Sequence, residues 1–300
     1  MTFVLLMKRL YLFVLLAVVS SILKAQPLAQ RLDSLLFNDP MLRTSEVGIT
    51  VFDLTTGESL FQYQDEKLYR PASTEKVVTS VTALATLGLD YTMDTRLQYT
   101  GKIEGDTLKG NLYLVGGFDP EFMDEDLDSL VDVIAQSGIR YIADTLAADV
   151  SMMDSVYWGN GWSWDDVPDS FQPYMSPLML NRGCVDVTVV PAEKDSLPII
   201  ECVPASDYYQ VDNDGVSNNP QAGNLRITRN WLHNGNQIHV TGNVSKKTTR
   251  TLSIYTSKDF FFHTFVNRLK EKGIEANTTA FADCPENDSL RVVSPLFILQ

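Results

Sequence analysis

Arg70-Pro-Ala-Ser-Thr-Glu-Lys-Val-Val-Thr-Ser-Val-Thr-Ala-Leu-Ala-Thr-Leu-Gly88 is the stretch around which the rest of the chain can be interpreted. Pro71 suits the first turn of a helix, where its missing N–H costs nothing, and Gly88 suits the position just past a helix end. Apolar residues recur between them at three- and four-residue spacings, namely Val77, Val78, Val81, Leu84 and Ala85. The stretch therefore predicts a buried helix.

Ser73 and Lys76 lie three residues apart in the first turn of that predicted helix, which places both side chains on one face. A serine needs a neighbouring base to act as a nucleophile at neutral pH, and a lysine can serve if burial or nearby positive charge lowers its pKa. The N-terminal end of a helix carries partial positive charge, which adds to the effect of such neighbours and favours a developing alkoxide. We interpret Ser73 as a candidate nucleophile and Lys76 as its candidate base.

The Ser-x-x-Lys spacing is weak evidence when taken alone. About one copy is expected by chance in a chain of this composition, and Ser21 to Lys24 is indeed a second copy. A catalytic role for Ser73 therefore depends on support from the surrounding sequence.

Composition restricts the class of protein and of partner. The chain has 300 residues with an apolar fraction of 44%, enough for one large domain or two smaller ones. Its formal charge is −14, and without residues 1–25 it would carry 21 basic and 38 acidic residues, a charge of −17. A nucleic-acid partner is disfavoured, because binding phosphates needs a basic surface.

Residues 1–25 have the pattern of a secretory signal peptide. Lys8 and Arg9 precede an apolar run from Leu10 to Leu23, and the small residue Ala25 precedes the expected cleavage site. The apolar run is too short for a membrane span. We therefore expect a periplasmic or secreted protein with no transmembrane span after cleavage.

Cysteines and histidines indicate no metal site. Cys184, Cys202 and Cys284 make an odd count, so at least one thiol stays unpaired in an exported chain. The three histidines form no His-Glu-x-x-His motif, and no two cysteines lie two residues apart. We expect structural histidines and no metal or other cofactor.

Short strands are predicted on both sides of the Ser73 helix from apolar alternation and turn glycines. Val47–Asp53 and Ser59–Tyr63 form a predicted hairpin directly before it. Further strands are predicted at 95–100, 111–115, 141–150, 184–191, 197–203, 224–229 and 237–244. Helices are predicted at 26–39, at 123–138 and, capped by Asp259, at 259–273.

Trp158-Gly-Asn-Gly-Trp-Ser-Trp-Asp-Asp166 is the second unusual stretch. Three tryptophans, two glycines and two adjacent acids occur within it. Such a segment is either a loop pinned by aromatic packing or part of a peptide-binding groove. Its composition leaves both interpretations open.

Four blocks occur in one order along the chain: Arg70–Lys76 with the apolar residues after it, Leu108–Pro120, Gly161–Asp166 and Asn181–Val185. Together they resemble the class C low-molecular-mass penicillin-binding proteins, which are D-alanyl-D-alanine carboxypeptidases/endopeptidases of the bacterial cell wall. The resemblance runs from about residue 30 to the end of the chain. Four ordered blocks are far more specific than Ser-x-x-Lys alone.

This resemblance implies an α/β (α+β) fold, in which a penicillin-recognising serine transpeptidase/β-lactamase-like domain is interrupted by a strand-rich insertion. Residues 26–92 would form the first part of the transpeptidase domain and 93–247 the inserted domain or domains. Residues 248–300 would resume the transpeptidase domain, truncated at the C-terminus.

The resemblance also implies a serine-type enzyme that uses no cofactor and acts on peptidoglycan stem peptides. Ser73 would attack the carbonyl between two terminal D-alanines or in a D-alanyl cross-link, Lys76 would take its proton, and water would release the acyl-enzyme. Penicillins and other β-lactams would acylate the same serine. Asp166, by its position in the Trp-x-Trp-x-Asp block, would bind the amine of the substrate's diamino acid.

Two further motifs of that family, Ser-x-Asn on a helix and Lys-Thr-Gly on a strand, are not found in that context. Ser217-Asn218-Asn219 spells the first within a turn-like composition, and Lys247-Thr248-Thr249 lacks the glycine of the second. Without them Lys76 lacks a second lysine nearby, and the oxyanion site loses a donor worth roughly 2.7–4 kcal/mol. We expect the chain as given to be inactive or barely active.

Two alternatives stay open from the sequence. A non-catalytic periplasmic module could keep the scaffold to bind peptidoglycan. A serine β-lactamase also has Ser-x-x-Lys, although the long strand-rich segment after that motif is not expected of the class A enzymes. Turnover of a D-Ala-D-Ala peptide separates enzyme from binder, and nitrocefin hydrolysis separates peptidase from lactamase.

Overall fold

The computed structural model describes residues 27–286 and 291–292, which divide into two units. The first unit ends at Leu89 and the second begins at Asp90. In the described part of the chain, no helix is both long enough and apolar enough to cross a membrane. The predicted signal peptide lies outside the described residues.

The first unit has two short helices, a hairpin and a longer helix. The short helices α1 and α2 are Leu28–Asn38 and Pro40–Thr44. Strands β1, Ile49–Asp53, and β2, Glu58–Tyr63, pair antiparallel, which confirms the predicted hairpin. The longer helix, α3, is Glu75–Leu87, and Gly88 follows it with φ 85°, as expected for a glycine past a helix end.

The predicted burial of α3 is wrong for the described residues. Val77, Val78, Val81 and Leu84 are 53–66% exposed. The hairpin packs instead on α1, where Phe37 meets Tyr63 edge-on with ring centroids 6.4 Å apart. An apolar stripe on a helix is buried only where another surface covers it. The described residues of the first unit do not supply such a surface.

The second unit is built on three sheets, and among the described residues the largest has seven strands. These run in the order β15-β3-β6-β7-β5-β4, and β14 pairs with β7. Their bounds are β3 Arg96–Tyr99, β4 Lys102–Glu104, β5 Thr107–Lys109, β6 Leu112–Val115, β7 Tyr141–Asp149, β14 Glu275–Phe281 and β15 Arg291–Val292. Strands β5, β6 and β14 all run parallel to β7, so β7 lies at the centre of the sheet.

Two three-stranded sheets complete the strand content of the described second unit. One is antiparallel in the order β13-β8-β9, with β8 Cys184–Val190, β9 Ile199–Val203 and β13 Thr248–Ser253. The other has the order β10-β12-β11, with β10 Gln210–Ser217, β11 Arg226–Arg229 and β12 Gln237–Val244. In it β10 runs parallel and β11 antiparallel to β12.

Two amphipathic helices of the second unit contribute to its core. Helix α4, Asp124–Gln136, buries Leu127, Leu130, Val131 and Ile134, as its three- and four-residue spacing predicts. Helix α5, Ser257–Glu271, buries Phe260, Phe261, Phe262, Phe265 and Leu269. The predicted cap at Asp259 is wrong, because α5 begins two residues earlier after Thr256 and Asp259 lies in its first turn.

Six strands of the second unit were not predicted by the sequence patterns: β4, β5, β10, β13, β14 and β15. Ser217 ends β10, and Asn218 follows it with φ 54°, so Ser217-Asn218-Asn219 lies in no helix. Lys247 immediately precedes β13, which pairs with β8 within the second unit. The predicted domain boundaries at 92, 247 and 300 stay predictions.

Candidate active site

Ser73 lies in a 3-10 turn, Ala72–Thr74, that leads directly into α3. The α-helix thus begins at Glu75, four residues after Pro71. Ala72, the residue before Ser73, has φ 46° in the left-handed region that alanine rarely adopts. Non-glycine residues held in such conformations concentrate at functional sites. Nothing in the sequence predicts this feature, because alanine has no preference for positive φ.

The segment before this turn is anchored to the hairpin by Tyr69. Its hydroxyl lies 2.9 Å from the carbonyl oxygen of Val47 and 3.0 Å from that of Gln64. A Cβ on Gly48 would approach the Tyr69 ring to 2.6 Å, so glycine at that position makes room for the ring. This packing fixes where the chain enters the Ser73 turn.

Lys76 follows Ser73 by three residues and lies in the first turn of α3. Both side chains are exposed. Within the described residues, no hydrogen bond or ion pair of either side-chain head group is found. The local backbone thus brings the candidate nucleophile and the candidate base to the same helix start, but the described residues of the first unit do not desolvate them.

Asp166 lies in the second unit, at the end of a 3-10 turn, Trp164–Asp166. Its amide N–H donates to the Ser163 carbonyl and its own carbonyl accepts from Asp169 N–H at 3.0 Å. The residue is half-buried, and its carboxylate makes no hydrogen bond or ion pair with a described residue. The backbone is therefore fixed while the carboxylate is left available to a ligand.

The tryptophan-rich stretch is pinned by aromatic packing at one end and exposed at the other. The indole N–H of Trp158 donates to the Pro173 carbonyl at 3.1 Å, and its ring lies 4.8 Å from that of Tyr174. Trp164 is 66% exposed and stacks on Trp231 with ring centroids 5.5 Å apart. The packing interpretation holds for Trp158, and the groove interpretation stays open for the exposed end.

Arg229 is a buried cation that sequence reasoning did not single out. It is 1% exposed; its Nε donates to the Ser253 carbonyl at 2.6 Å and its Nη1 to the Gly235 carbonyl at 3.0 Å. Its Nη2 is buried with no hydrogen-bond partner among the described residues. Desolvation by burial lowers the pKa of this guanidinium. The alternation along the strand that contains Arg229 indicates that the side chain at this position is buried, but it does not indicate that the buried side chain is an arginine.

The three cysteines, His239 and His263 all belong to the second unit. All three cysteines are free thiols. Burial raises the pKa of Cys184 to about 12 and that of Cys284 to about 11. His239 and His263 pair with Asp212 and Asp207, which is consistent with structural roles.

A family model described as the D-Ala-D-Ala carboxypeptidase 3 (S13) family matches residues 28–290. D-alanyl-D-alanine carboxypeptidase of Actinomadura sp. (strain R39) is 27% identical over 256 residues, which are 82% of this chain and 47% of that protein. The chain spans about half the length of the curated relatives it matches.

Two crystal structures of penicillin binding protein 4 (dacB) from Haemophilus influenzae are also similar. One matches with a TM-score of 0.64 and 25% identity, over 81% of this chain and 55% of that chain. The other, complexed with a novel β-lactam, matches with a TM-score of 0.58 and 22% identity over 82% and 53%, and it shows the fold alone. These likenesses confirm the predicted α/β (α+β) fold.

Proposed function

The chain belongs to the D-Ala-D-Ala carboxypeptidase 3 (S13) family, and from that premise we propose that it carries the nucleophile and base of a serine-type D-Ala-D-Ala carboxypeptidase. Its substrates are peptidoglycan stem peptides, and its place is the periplasm or the cell exterior. The observation that carries this proposal is the position of Ser73 in a strained turn that opens a helix, with Lys76 one turn away.

In the proposed reaction the Ser73 Oγ attacks the carbonyl carbon of the penultimate D-alanine. Lys76 accepts the hydroxyl proton and passes it to the nitrogen of the departing D-alanine as the peptide C–N bond breaks. Water then attacks the ester carbonyl and regenerates the Ser73 hydroxyl. The same attack on a D-alanyl cross-link is an endopeptidase reaction. Attack on the β-lactam carbonyl of a penicillin breaks the ring C–N bond and leaves a covalent penicilloyl ester.

The reaction is expected to be slow in these 300 residues. Ser73 and Lys76 are exposed in the described first unit, whereas a lysine base needs desolvation or a neighbouring positive charge. Ser217-Asn218-Asn219 lies at a strand end, and Lys247-Thr248-Thr249 has no glycine, so neither offers the partner motifs that the family resemblance implies. An oxyanion donor absent from the site costs roughly 100- to 1,000-fold in rate.

Release of D-alanine from a D-Ala-D-Ala peptide tests the proposed reaction. We expect slow turnover that Ser73→Ala abolishes and that Lys76→Met reduces at least about tenfold, because the base is lost. Turnover that persists in Ser73→Ala would refute the assignment of the nucleophile. Peptide binding with no turnover at any enzyme concentration would favour the non-catalytic module, and rapid nitrocefin hydrolysis would favour a β-lactamase.

We assign Asp166 to the side-chain amine of the substrate's diamino acid. Support comes from its unpaired carboxylate on a backbone held by Ser163 and Asp169. Asp166→Asn should weaken binding of a stem peptide with a free side-chain amine by about tenfold, and should leave the N-acetylated peptide unaffected. Asp165→Asn, one residue away on the same turn, is the matched control. An equal loss in both variants would contradict the assignment.

A further inference from the structure

A cavity of about 320 Å³ lies wholly within the second unit, at the start of α5. Its floor is apolar and aromatic and is formed by Met153, Tyr157, Tyr174, Met175 and Pro177. Tyr174 is 2% exposed, and its ring packs against the rings of Trp158 and Tyr255. These contacts hold the floor rigid, so the cavity is preformed for a small apolar group.

The start of α5 gives this cavity an electropositive wall. Thr256, Ser257 and Lys258 line it, and no side chain caps the helix, so its first N–H groups lack protein acceptors in the described structure. Ser257 is 1% exposed, and its hydroxyl has no hydrogen-bond partner among the described residues. Its Oγ lies against Gly183, where an added Cβ would clash with it, so the electropositive character of the wall comes from the helix start and not from this hydroxyl.

One side-chain cation, Lys258, adds to that wall. The Lys258 ammonium lies 4.8 Å from the centroid of the Phe281 ring and forms no ion pair with a described residue. The buried Arg229 guanidinium does not line the cavity, but it lies 5.7 Å from the centroid of the Tyr174 ring, which does. The Lys258 ammonium, without an ion-pair partner in the described part of the chain and beside the start of α5, favours an anionic group on a ligand.

One carboxylate also lines the cavity. An oxygen of Asp154 accepts a hydrogen bond from the Val156 amide at 2.9 Å. Among the described residues, Asp154 has no cation within ion-pair distance, and it is not paired with Lys258. The cavity thus presents an unpaired carboxylate and an unpaired ammonium above an apolar floor.

We propose that this cavity binds a free α-amino acid with an apolar side chain. The ligand's carboxylate pairs with Lys258 and the open N–H groups of α5, and its ammonium pairs with Asp154. Its side chain lies against Tyr157 and Tyr174. None of Ser73, Lys76 and Asp166 lines the cavity. Binding of a ligand there can therefore be measured independently of the proposed acyl transfer.

Isothermal titration of the mature chain with D-leucine and L-leucine tests this proposal. We expect saturable binding of at least one enantiomer. N-acetyl-leucine, which has no ammonium group, and leucinamide, which has no carboxylate, should each bind about tenfold more weakly. No saturable binding of either leucine would overturn the proposal.

Variants separate the two charged contacts. Lys258→Met should weaken leucine and N-acetyl-leucine alike by about tenfold, whereas Asp154→Asn should weaken leucine and leave N-acetyl-leucine unchanged. Lys270→Met, on the exposed far end of α5, is the matched control and should change neither. Ser155→Trp should fill the cavity and abolish binding of both ligands while both charges remain.

Two further outcomes would count against the assignment. Unchanged affinity in Lys258→Met or in Ser155→Trp would place leucine elsewhere and overturn the proposal. If N-acetyl-leucine binds as tightly as leucine and Asp154→Asn has no effect, a free amino acid is excluded, and the carboxyl end of a peptide becomes the source of the carboxylate. Circular dichroism spectra identical to that of the parent chain confirm that each variant is folded.

Discussion

The two units differ in what they do with their apolar side chains. In the first, Leu36 and Phe61 are buried, while Val81 on α3 is 61% exposed. In the second, Phe261 on α5 is fully buried and packs on Phe122 with ring centroids 5.0 Å apart. The unit that carries the candidate nucleophile is therefore the one with the open apolar face, and the unit with the packed core carries Asp166 and the cavity.

This difference separates the position of a candidate catalytic pair from its activation. A turn and a helix start place Ser73 and Lys76 one turn apart within a short segment of chain. Desolvation and neighbouring charge, which make lysine a base, come from residues distant in sequence. The described first unit places Ser73 and Lys76 one turn apart, but it does not supply the surrounding residues that would desolvate them.

The largest expected contrast is in stability. Phe261→Ala should lower the free energy of unfolding by about 3–5 kcal/mol, because it opens a cavity in a closed core. Val81→Ala should change it by less than about 0.5 kcal/mol, because the side chain is 61% exposed. Urea unfolding followed by far-ultraviolet circular dichroism, which reports both units, measures the two. Equal losses would show that the α3 face is covered in solution.

Thiol reactivity gives the next contrast. In Ser73→Cys the new thiol is exposed at a helix start and should react with iodoacetamide at pH 8 at least as fast as a free cysteine. Burial raises the pKa of Cys184 from 9.0 to about 12, so its thiolate fraction is about a thousandfold lower and its alkylation correspondingly slow. Peptide mapping of timed samples resolves both sites. Comparable alkylation rates at the two sites would contradict either the burial of the Cys184 thiol or the exposure of the thiol in Ser73→Cys.

The third expected effect is on alkaline stability. The Cys184 thiol stays protonated in the folded chain, whereas in the unfolded chain it ionises near pH 9. Its contribution to the free energy of unfolding is therefore fully present below pH 9 and is lost as pH rises toward 12. The slope should be about 1 kcal/mol per pH unit in that window. Burial also raises the pKa of Tyr174 and Tyr208, which acts in the same direction.

Urea midpoints followed by tryptophan fluorescence measure this loss in the second unit, since all four tryptophans lie there. Cys184→Ala removes the thiol and should flatten the decline between pH 9 and 12 without abolishing the tyrosine part. An unchanged slope in Cys184→Ala would mean that the thiol is not buried as described.

Much of the fold could be predicted from local patterns. The hairpin β1–β2 follows from alternation and a turn glycine, and α4 and α5 follow from apolar spacings of three and four residues. Strand β10 was missed because Asp, Asn and Gly dominate its sequence, and its parallel pairing with β12 overrides that weak propensity. Strand β14 was missed because its pairing with β7 is a long-range contact that local sequence patterns do not show.

The candidate site divides in the same way. Ser73 and Lys76 could be found because a motif and a helix start lie within a few residues of each other. The positive φ of Ala72 and the exposure of α3 could not be predicted, because both depend on how the surrounding chain packs. Arg229 and the cavity above Tyr174 were missed because they join residues from segments far apart in the sequence.

Intact-mass analysis of the mature chain after incubation with benzylpenicillin tests the central proposal most directly: Ser73 is the nucleophile, but the described residues of its unit supply no activating environment. We predict a penicilloyl adduct on a small fraction of molecules at most, and none in Ser73→Ala. Rapid stoichiometric acylation that Ser73→Ala abolishes would contradict the missing activation. An adduct that survives in Ser73→Ala would contradict the assignment of the nucleophile itself.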